Sequence, residues 1–461
     1  MEHALALLAS FFPPVFSPTY LVALGGPVLE TLGLTFGAMS VAFALSLPLS
    51  LAAGLRLPGA SAVLGALAAI RAIPDLTLAI LAVIVFGVGP GAGLIALAIY
   101  YTAAVAKMFA DILRTAPEGP LQALRSAGAS RLQVGLVGLL PLKLADLMSY
   151  GAYEVESALR ASIVIGAVGG GGLGTELVGS LASFDFRRVT TQIIILCVLV
   201  AGLDRAAAWL RRHPRWLIAP AALGVAAVFV YAPRLFAFEH AADVIGQMVP
   251  PQMTSEGWGQ LPRRLWETVW MAVSGAAGGI LAGVLAGILS ARTLFPPWVA
   301  LPVRRLMEFL RTVPEVVWGL LLIATAGVGP VAGAWALGLH STGSLARLFG
   351  DALDNAPRQP QVAIAQAGGS TAVVASYATI PLALGPMAAH ALFRLEWNLR
   401  MATVLGLIGA GGVGQALYEA QQLFFYRQML AYVLITWVLV GAVDLASDRL
   451  RRRLGLSKVM G

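Results

Sequence analysis

Residues 71 to 75 read Arg-Ala-Ile-Pro-Asp, and residues 311 to 315, 240 positions later, read Arg-Thr-Val-Pro-Glu. The same offset joins Gly87, Gly89 and Pro90 to Gly327, Gly329 and Pro330, and Ala127, Gly128 and Ser130 to Ala367, Gly368 and Ser370. Farther along it joins Pro141 to Pro381, Gly166 to Gly406, Arg187 to Arg427 and Asp204 to Asp444. A chain that keeps one register over so long a stretch carries two copies of one structural unit, so its fold must be one that can be used twice.

Composition gives the solvent of that unit. Hydrophobic residues make up 58% of the chain and charged residues 12%, against about a quarter charged in a soluble domain. The mean hydropathy is +0.82. Apolar runs of about 20 residues, the length that crosses a bilayer, recur between Gly and Pro breaks. They predict an all-α, polytopic membrane protein, because backbone groups facing lipid must find hydrogen bonds within their own segment. Five runs fall in the first copy, at about 27–54, 62–87, 92–112, 142–165 and 189–210. Five fall in the second, at about 267–290, 300–326, 331–350, 382–405 and 429–447. One more, about 216–232, has no counterpart. A five-span unit begins and ends on opposite sides, so an added crossing returns the second copy to the orientation of the first. The expectation is about 11 helices in two parallel repeats. The first unit covers 1–215, a linking helix with an external segment covers 216–256, and the second unit covers 257–461.

Basic residues favour the cytoplasmic ends of spans. Arg205, Arg211, Arg212 and Arg215 follow the fifth run, and Arg449, Arg451, Arg452, Arg453 and Lys458 follow the last, whereas the first 50 residues contain no Lys or Arg. The N-terminus is therefore expected outside, and the C-terminus and the loops 113–141 and 351–381 in the cytoplasm. Arg187, Arg188, Arg263 and Arg264 run against this trend but are outnumbered. The asymmetry accounts for the net charge of +8, so lipid and not nucleic acid is the expected surface partner.

Two motifs recur in register. Gln122, Ala123 and Arg125 lead to Gly128, Ala129 and Ser130 and on to Leu140-Pro141; Val362, Ala363 and Ile364 lead to Gly368, Gly369 and Ser370 and on to Ile380-Pro381. Each reads as a short helix, a glycine turn out of it, and a proline opening the next helix, where its missing N–H costs nothing. A short helix held at a membrane surface suits a groove on a partner. After the fourth run come Gly169, Gly170, Gly171, Gly172 and Gly174, matched by Gly409, Gly411, Gly412 and Gly414. The dinucleotide fingerprint formally matches but needs a preceding strand, and here a membrane helix precedes it. The glycines are better taken as an outer gate, non-helical backbone lining a protected cavity, where absent side chains let the two copies approach or part.

The first motif resembles the coupling loop of ABC importer permeases. With the paired Arg-x-x-Pro-acid segments, the Gly-x-Gly-Pro turns and the glycine loops, the chain closely resembles the phosphonate-type ABC permease family over about 27–212 and 257–450. That family normally has one unit per chain and works as a pair, so this chain resembles the pair fused. The resemblance implies a permease in the cytoplasmic membrane that imports phosphonate or a related phosphorus oxyanion by alternating access, without chemistry on the cargo. Phosphate, phosphite or methionine are the alternative cargoes. Two cytoplasmic ATP-binding subunits, carrying ATP and Mg, and one extracytoplasmic substrate-binding protein are implied as partners. The residues agree with that division of labour. A P-loop needs Gly-Lys-Ser/Thr, and Lys107, Lys143 and Lys458 follow Ala106, Leu142 and Ser457. His3, His213, His240, His340 and His390 form no pair at metal-ligand spacing, and the single Cys197 leaves no disulfide.

Charged residues inside the runs are candidates for the translocation path. An Arg at the centre of a span costs about 2.5–3.5 kcal/mol on insertion scales and needs a partner or a purpose. Arg71 and Arg311 fall near mid-depth, and Pro74 and Pro314 break each helix so that a half-helix N-terminus favours an anion. Asp75 and Glu315, four residues on, can equally neutralise the Arg and the helix end. Glu156 with Arg160 and Glu396 with Arg400 have the i, i+4 spacing of internal salt bridges, as do Lys107 with Asp111 and Arg347 with Asp351. The rival reading, an ion-driven secondary transporter, calls for carboxylates without basic neighbours, whereas Glu308 lies among Arg304, Arg305 and Arg311.

Overall fold

The computed structural model describes residues 10–213, 218–231 and 241–453. His3, Arg215, His240 and Lys458 lie outside them. The chain divides into two compact units, Met1–Gln247 and Met248–Gly461, and the described residues form helices and no strands. The first unit contains α1 (Pro18–Gly54), α2 (Ala60–Arg71), α3 (Asp75–Phe86), α4 (Pro90–Arg114), α5 (Glu118–Ser126), α6 (Leu140–Ile165), α7 (Leu173–Ala182), α8 (Phe186–Arg212) and α9 (Ile218–Tyr231), with α10 (Ala241–Met248) at the boundary. The second contains α11 (Ser255–Ser290), α12 (Pro297–Thr312), α13 (Glu315–Ala326), α14 (Pro330–Asp354), α15 (Arg358–Gln366), α16 (Ile380–Leu405), α17 (Gly412–Gln422) and α18 (Tyr426–Arg453). The first residues of α3, α4, α5 and α6 are each 240 before those of α13, α14, α15 and α16, and α9 has no partner.

Among the described residues seven helices are long and apolar enough to cross a membrane, or nine if each bent pair counts as one span. The expected number, about 11, is not reached. Two expected spans are broken: the axis bends by 87° between α2 and α3 and by 85° between α12 and α13. The breaks fall at Pro74 and Pro314, because a residue before proline is pushed out of the α region and Val313 accordingly takes φ −75° and ψ 120°. The linking helix α9 has 14 residues, about 21 Å at 1.5 Å per residue, short of a hydrocarbon core of about 30 Å.

Close packing in each unit runs along its longest helix. On α11, Gly275, Gly283 and Gly287 share one face, and a Cβ added to them would lie 2.7, 2.9 and 2.7 Å from the Cβ atoms of Leu337, Leu345 and Phe349 on α14. Gly279, between them, meets Ser341 in the same way. The corresponding residues on α1, 237 earlier, are Ala38, Ala42, Ser46 and Ser50, all with 0% exposure, and α1 packs along α4. In lipid the hydrophobic effect does not drive helices together, so association depends on van der Waals contact that small residues permit. The offset of 237 on this helix, against 240 elsewhere, means that the second unit has three extra residues between Gly287 and Glu315.

Gly283→Leu should therefore lower the thermal unfolding midpoint of the purified chain, at the overpacking cost of about 1–3 kcal/mol. Gly278→Leu, whose Cβ meets no atom within 4 Å, should leave it unchanged. Equal midpoints for the two variants would contradict the stripe.

Candidate functional site

The surface motif is formed by α5 and α15. Gln122, Ala123, Arg125, Gly128 and Ser130 are exposed, as are Val362, Ala363, Gly368 and Ser370; Ala129, Ile364 and Gly369 are half-buried. Gly128 and Gly368 both turn the chain out of the helix at φ 86°, a left-handed conformation that glycine adopts without a steric penalty. Ser130 then caps the next turn. Its hydroxyl accepts from Gln133 N at 3.3 Å while Gln133 Oε1 accepts from Ser130 N at 2.8 Å, a reciprocal box. Ser370 accepts from Val373 N at 3.4 Å, and valine cannot return the bond. Leu124 and Leu121 hold α5 against Gly138, where a Cβ would come within 2.6 and 3.2 Å of them. The motif feeds into π-helical turns, Val134–Leu139 and Ala375–Thr379, that lead directly into α6 and α16. The helix starts differ in sign, Glu118 in α5 and Arg358 in α15.

The other ends of α6 and α16 carry the glycine loops. Gly169, Gly171 and Gly172 have φ 96°, 85° and 75°, and Gly409, Gly411 and Gly412 have 105°, 91° and 73°. An added Cβ at Gly170 would overlap Ile165, and at Gly174 and Gly414 the carbonyls of Ile163 and Thr403. These close approaches that demand glycine lie within each unit, where the loop folds back on its own helix. Gly89 N donates to Gly169 O at 2.9 Å and Gly329 N to Gly409 O at 3.1 Å, which ties the Gly-x-Gly-Pro turns to the same loops.

A pair of residues absent from the sequence argument holds each loop. Gly172 N donates to Glu30 Oε2 at 2.9 Å and Leu173 N to Thr31 Oγ1 at 2.8 Å. In the second unit Gly412 N donates to Glu267 Oε2 and Val413 N to Thr268 Oγ1, both at 2.9 Å. These N–H groups open α7 and α17 and have no acceptor within their own helix, so α1 and α11 supply it, with a carboxylate at the positive end of the dipole. The signal was the Glu-Thr dipeptide, repeated 237 residues apart. In the second unit the loop also lines a cavity of about 570 Å³ with Gln260, Arg263, Arg264 and Gln415. Arg263 binds Glu267 at 2.9 Å and Arg264 binds Glu419 at 3.1 Å. The positions 237 before the two arginines hold Gly26 and Pro27.

The path candidates gather at the helix breaks. Arg71 ends α2 and Asp75 starts α3, while Arg311 lies in the last turn of α12 and Glu315 starts α13. Arg71 and Asp75, and likewise Arg311 and Glu315, thus lie on opposite sides of a bend, where the i, i+4 geometry of a continuous helix does not apply. Glu315 Oε1 gathers donors from two further helices: His340 Nε2 at 3.1 Å, Arg394 Nη2 at 3.3 Å and Trp397 Nε1 at 2.8 Å. His340 Nδ1 lies 3.0 Å from Val313 O, a carbonyl beside the break. Both ring nitrogens thus lie within hydrogen-bond distance of an oxygen. Arg394 Nε also donates to Ser341 Oγ at 2.9 Å, and Ser341 to Asn398 Oδ1 at 3.0 Å. In the first unit the places of His340, Arg394 and Trp397 are taken by Tyr100, Glu154 and Ser157. Tyr150 donates to Glu154, Tyr101 bonds Ser157 at 3.2 Å, and Asp75 Oδ1 accepts from Leu76 N at 2.8 Å.

Glu156 and Arg160 form the expected ion pair. Glu396 and Arg400 both reach to α18: Arg451 binds Glu396 at 2.6 Å, and Arg400 binds Asp444. The sequence repeats this set as Glu156, Arg160, Asp204 and Arg211, of which the side chains of Asp204 and Arg211 lie outside the described residues. Arg347 approaches Asp351 at 3.9 Å, and Asp111 meets Arg114 at 3.5 Å.

The family model described as "binding-protein-dependent transport system inner membrane component" matches this chain twice, over residues 27–245 and 280–456. The chain is 30% identical to the phosphate-import permease protein PhnE of Mycolicibacterium smegmatis, over 98% of this chain and 89% of that one. It is 32% identical to the phosphite transport system permease protein PtxC of Stutzerimonas stutzeri, over 46% of this chain and 76% of that one. A solved chain of the MetNI methionine ABC transporter aligns with 44% of this chain and 99% of its own length, with 21% identity and a TM-score of 0.40.

Two outcomes are expected from the site's geometry. Thr268→Val leaves the buried Val413 N–H without its acceptor and should cost about 1–3 kcal/mol of stability; Thr268→Ser should retain most of it. Arg394→Met strands part of the charge on Glu315 and should cost about 3–5 kcal/mol, much of which the double change with Glu315→Leu restores. Thermal unfolding in detergent reads both, and a double variant no more stable than Arg394→Met would contradict the Glu315 cluster.

Proposed function

Because this chain belongs to the family of binding-protein-dependent transport system inner membrane components, we propose that it is the multi-pass permease of an ABC importer for phosphonate or a close phosphorus oxyanion. The cargo class is supported by the phosphate and phosphite import named for its relatives. The observation that carries the assembly is the pair of exposed helices α5 and α15, each followed by the same glycine turn, serine cap and π-helical entry into a long helix. In this reading residues 1–215 and 257–461 are two permease units joined through 216–256. Each exposed helix docks one cytoplasmic ATP-binding subunit, where ATP and Mg are bound, and an extracytoplasmic binding protein delivers the cargo. The N-terminus lies outside and the C-terminus in the cytoplasm.

The working stroke passes along α6 and α16. Each has 26 residues, about 39 Å at 1.5 Å per residue, and joins an ATPase-docking motif to a glycine loop. A shift of α5 or α15 on ATP binding is carried by that rigid helix to its loop, which serves as the outer gate. Arg71, Asp75, Arg311 and Glu315 mark the path at the helix breaks, and the Glu156, Arg160, Glu396 and Arg400 set braces α6 and α16.

Proteoliposomes holding the chain, its ATPase subunits and its binding protein should take up methylphosphonate, phosphite or phosphate only with ATP, and the chain alone should hydrolyse none. Uptake of methionine in preference to all three overturns the cargo, and hydrolysis by the chain alone overturns the subunit assignment. Charge contacts at α5 should be screened within about 10 Å at 0.1 M salt. Arg125→Ala should therefore reduce the salt sensitivity of ATPase binding, while Ile364→Ala, an apolar deletion, should not.

A further inference from the structure

On the glycine-loop side, α7 and α17 each end in a turn that neither the gate nor the exposed helices explain. Phe184 N donates to Leu181 O at 3.0 Å and Asp185 N to Ser180 O at 2.9 Å; Phe424 N donates to Gln421 O at 3.1 Å and Phe425 N to Ala420 O at 2.9 Å. This pattern closes a helix with one left-handed residue, a place usually held by glycine. Here it is phenylalanine in both units, at φ 55° and 56°, where a side chain crowds its own backbone. Burial within the chain does not offset that strain, because the two rings are 76% and 72% exposed. Each ring is nonetheless held in place, edge to face on an aromatic two positions later: Phe184 on Phe186 and Phe424 on Tyr426, at 6.2 Å between centres.

An arginine follows three positions after each ring, in the register of 240. Arg187 and Arg427 are exposed in the first turns of α8 and α18. Arg187 Nε donates to the Pro13 carbonyl at 2.7 Å, and among the described residues neither arginine is paired with a carboxylate. Arg188, by contrast, is taken by Asp185 at 3.1 Å. Basic residues favour the cytoplasmic ends of spans, so an arginine kept at the opposite end in both copies calls for an anionic partner. The surroundings of the rings are aqueous. α7 and α17 expose Glu176 and Gln422, the arginines opening α8 and α18 mark the headgroup level, and both rings precede those helices. A strained, exposed aromatic beside an arginine has the composition of a protein-interface anchor. We propose that Phe184 with Arg187, and Phe424 with Arg427, are docking points for the extracytoplasmic binding protein, one on each unit. Each ring enters an apolar pocket of that partner, and each arginine meets a carboxylate at the pocket's rim. The point on the first unit is joined to its glycine loop by the 10 residues of α7, and that on the second by the 11 of α17, so docking acts on the gate through one short helix. The inference rests on the importer reading and gives that partner its contact chemistry.

The affinity of the binding protein that supports uptake is measured on the full chain with its ATPase subunits in nanodiscs. Phe184→Gly with Phe424→Gly should weaken binding about tenfold or more, while the thermal unfolding midpoint stays at or above the parent's, because glycine adopts this φ freely. Arg187→Gln with Arg427→Gln should flatten the salt dependence of binding. In a Cys197→Ser background, Phe184→Cys and Phe424→Cys should react with a water-soluble maleimide, and the binding protein should protect both. Unaltered affinity in the double glycine variant overturns the docking points and leaves the importer reading standing; no binding even by the parent overturns both. Cysteines that fail to react before the binding protein is added also overturn the proposal, whether lipid or a second copy of the chain covers them.

Discussion

The approach of α11 to α14, and of α1 to α4, sets the geometry on which each unit depends. Helices in lipid gain little by hiding apolar surface from one another, so their spacing comes from shape. Four positions without side chains on α11 let Leu337, Ser341, Leu345 and Phe349 settle against its backbone. That contact also fixes register. Thr268 lies about two turns before Gly275, and a slip of one residue along the stripe would move it by about 1.5 Å. Its hydrogen bond to Val413 N, 2.9 Å long, does not survive such a slip. The stripe thus holds the acceptors that keep the glycine loop folded.

The two copies share backbone devices and differ in charge. Positive-φ glycines, the prolines at the helix breaks and the Glu-Thr acceptors occur in both. Around the break, however, the first unit has Asp75 and Glu154 where the second has Glu315 and Arg394. At the glycine loop Arg263 and Arg264 replace Gly26 and Pro27, and at the exposed helix Arg358 replaces Glu118. The shared devices serve chain geometry, which both copies need. The charges differ both at exposed positions such as Arg263 and Arg358 and in the buried cluster at the break, which makes the chain an asymmetric pair.

The repeat, the helical class, the turns at Gly128 and Gly368 and the breaks at Pro74 and Pro314 were legible because each is local or strictly periodic. The holders of the glycine loops were not. Glu30 and Thr31 lie 142 positions from the N–H groups they bind, and their repeat at 237 escapes a comparison fixed at 240. The partners of Glu315 were hidden for a related reason: His340 and Arg394 are brought to it by packing from distant positions, whereas the i, i+4 spacing pointed to Arg311 on the other side of the proline break. The two expected spans that the count of nine does not include are α9, whose apolar run forms a helix of 14 residues, and α14, which is not among the helices apolar enough to cross.

Photo-cross-linking of the exposed helices tests the central claim most directly. Cys197 is the single cysteine, so a Cys197→Ser background accepts a benzophenone label at Gln122→Cys, Val362→Cys or Phe184→Cys. Gln122 and Val362 sit on α5 and α15, and Phe184, 76% exposed, lies between α7 and α8 on the glycine-loop side. In the assembled importer, light should join the ATPase subunit to the labels at 122 and 362 and not to the label at 184. Cross-linking absent at both helices, or equal at Phe184, would contradict the account of a fused permease driven through two separate docking helices.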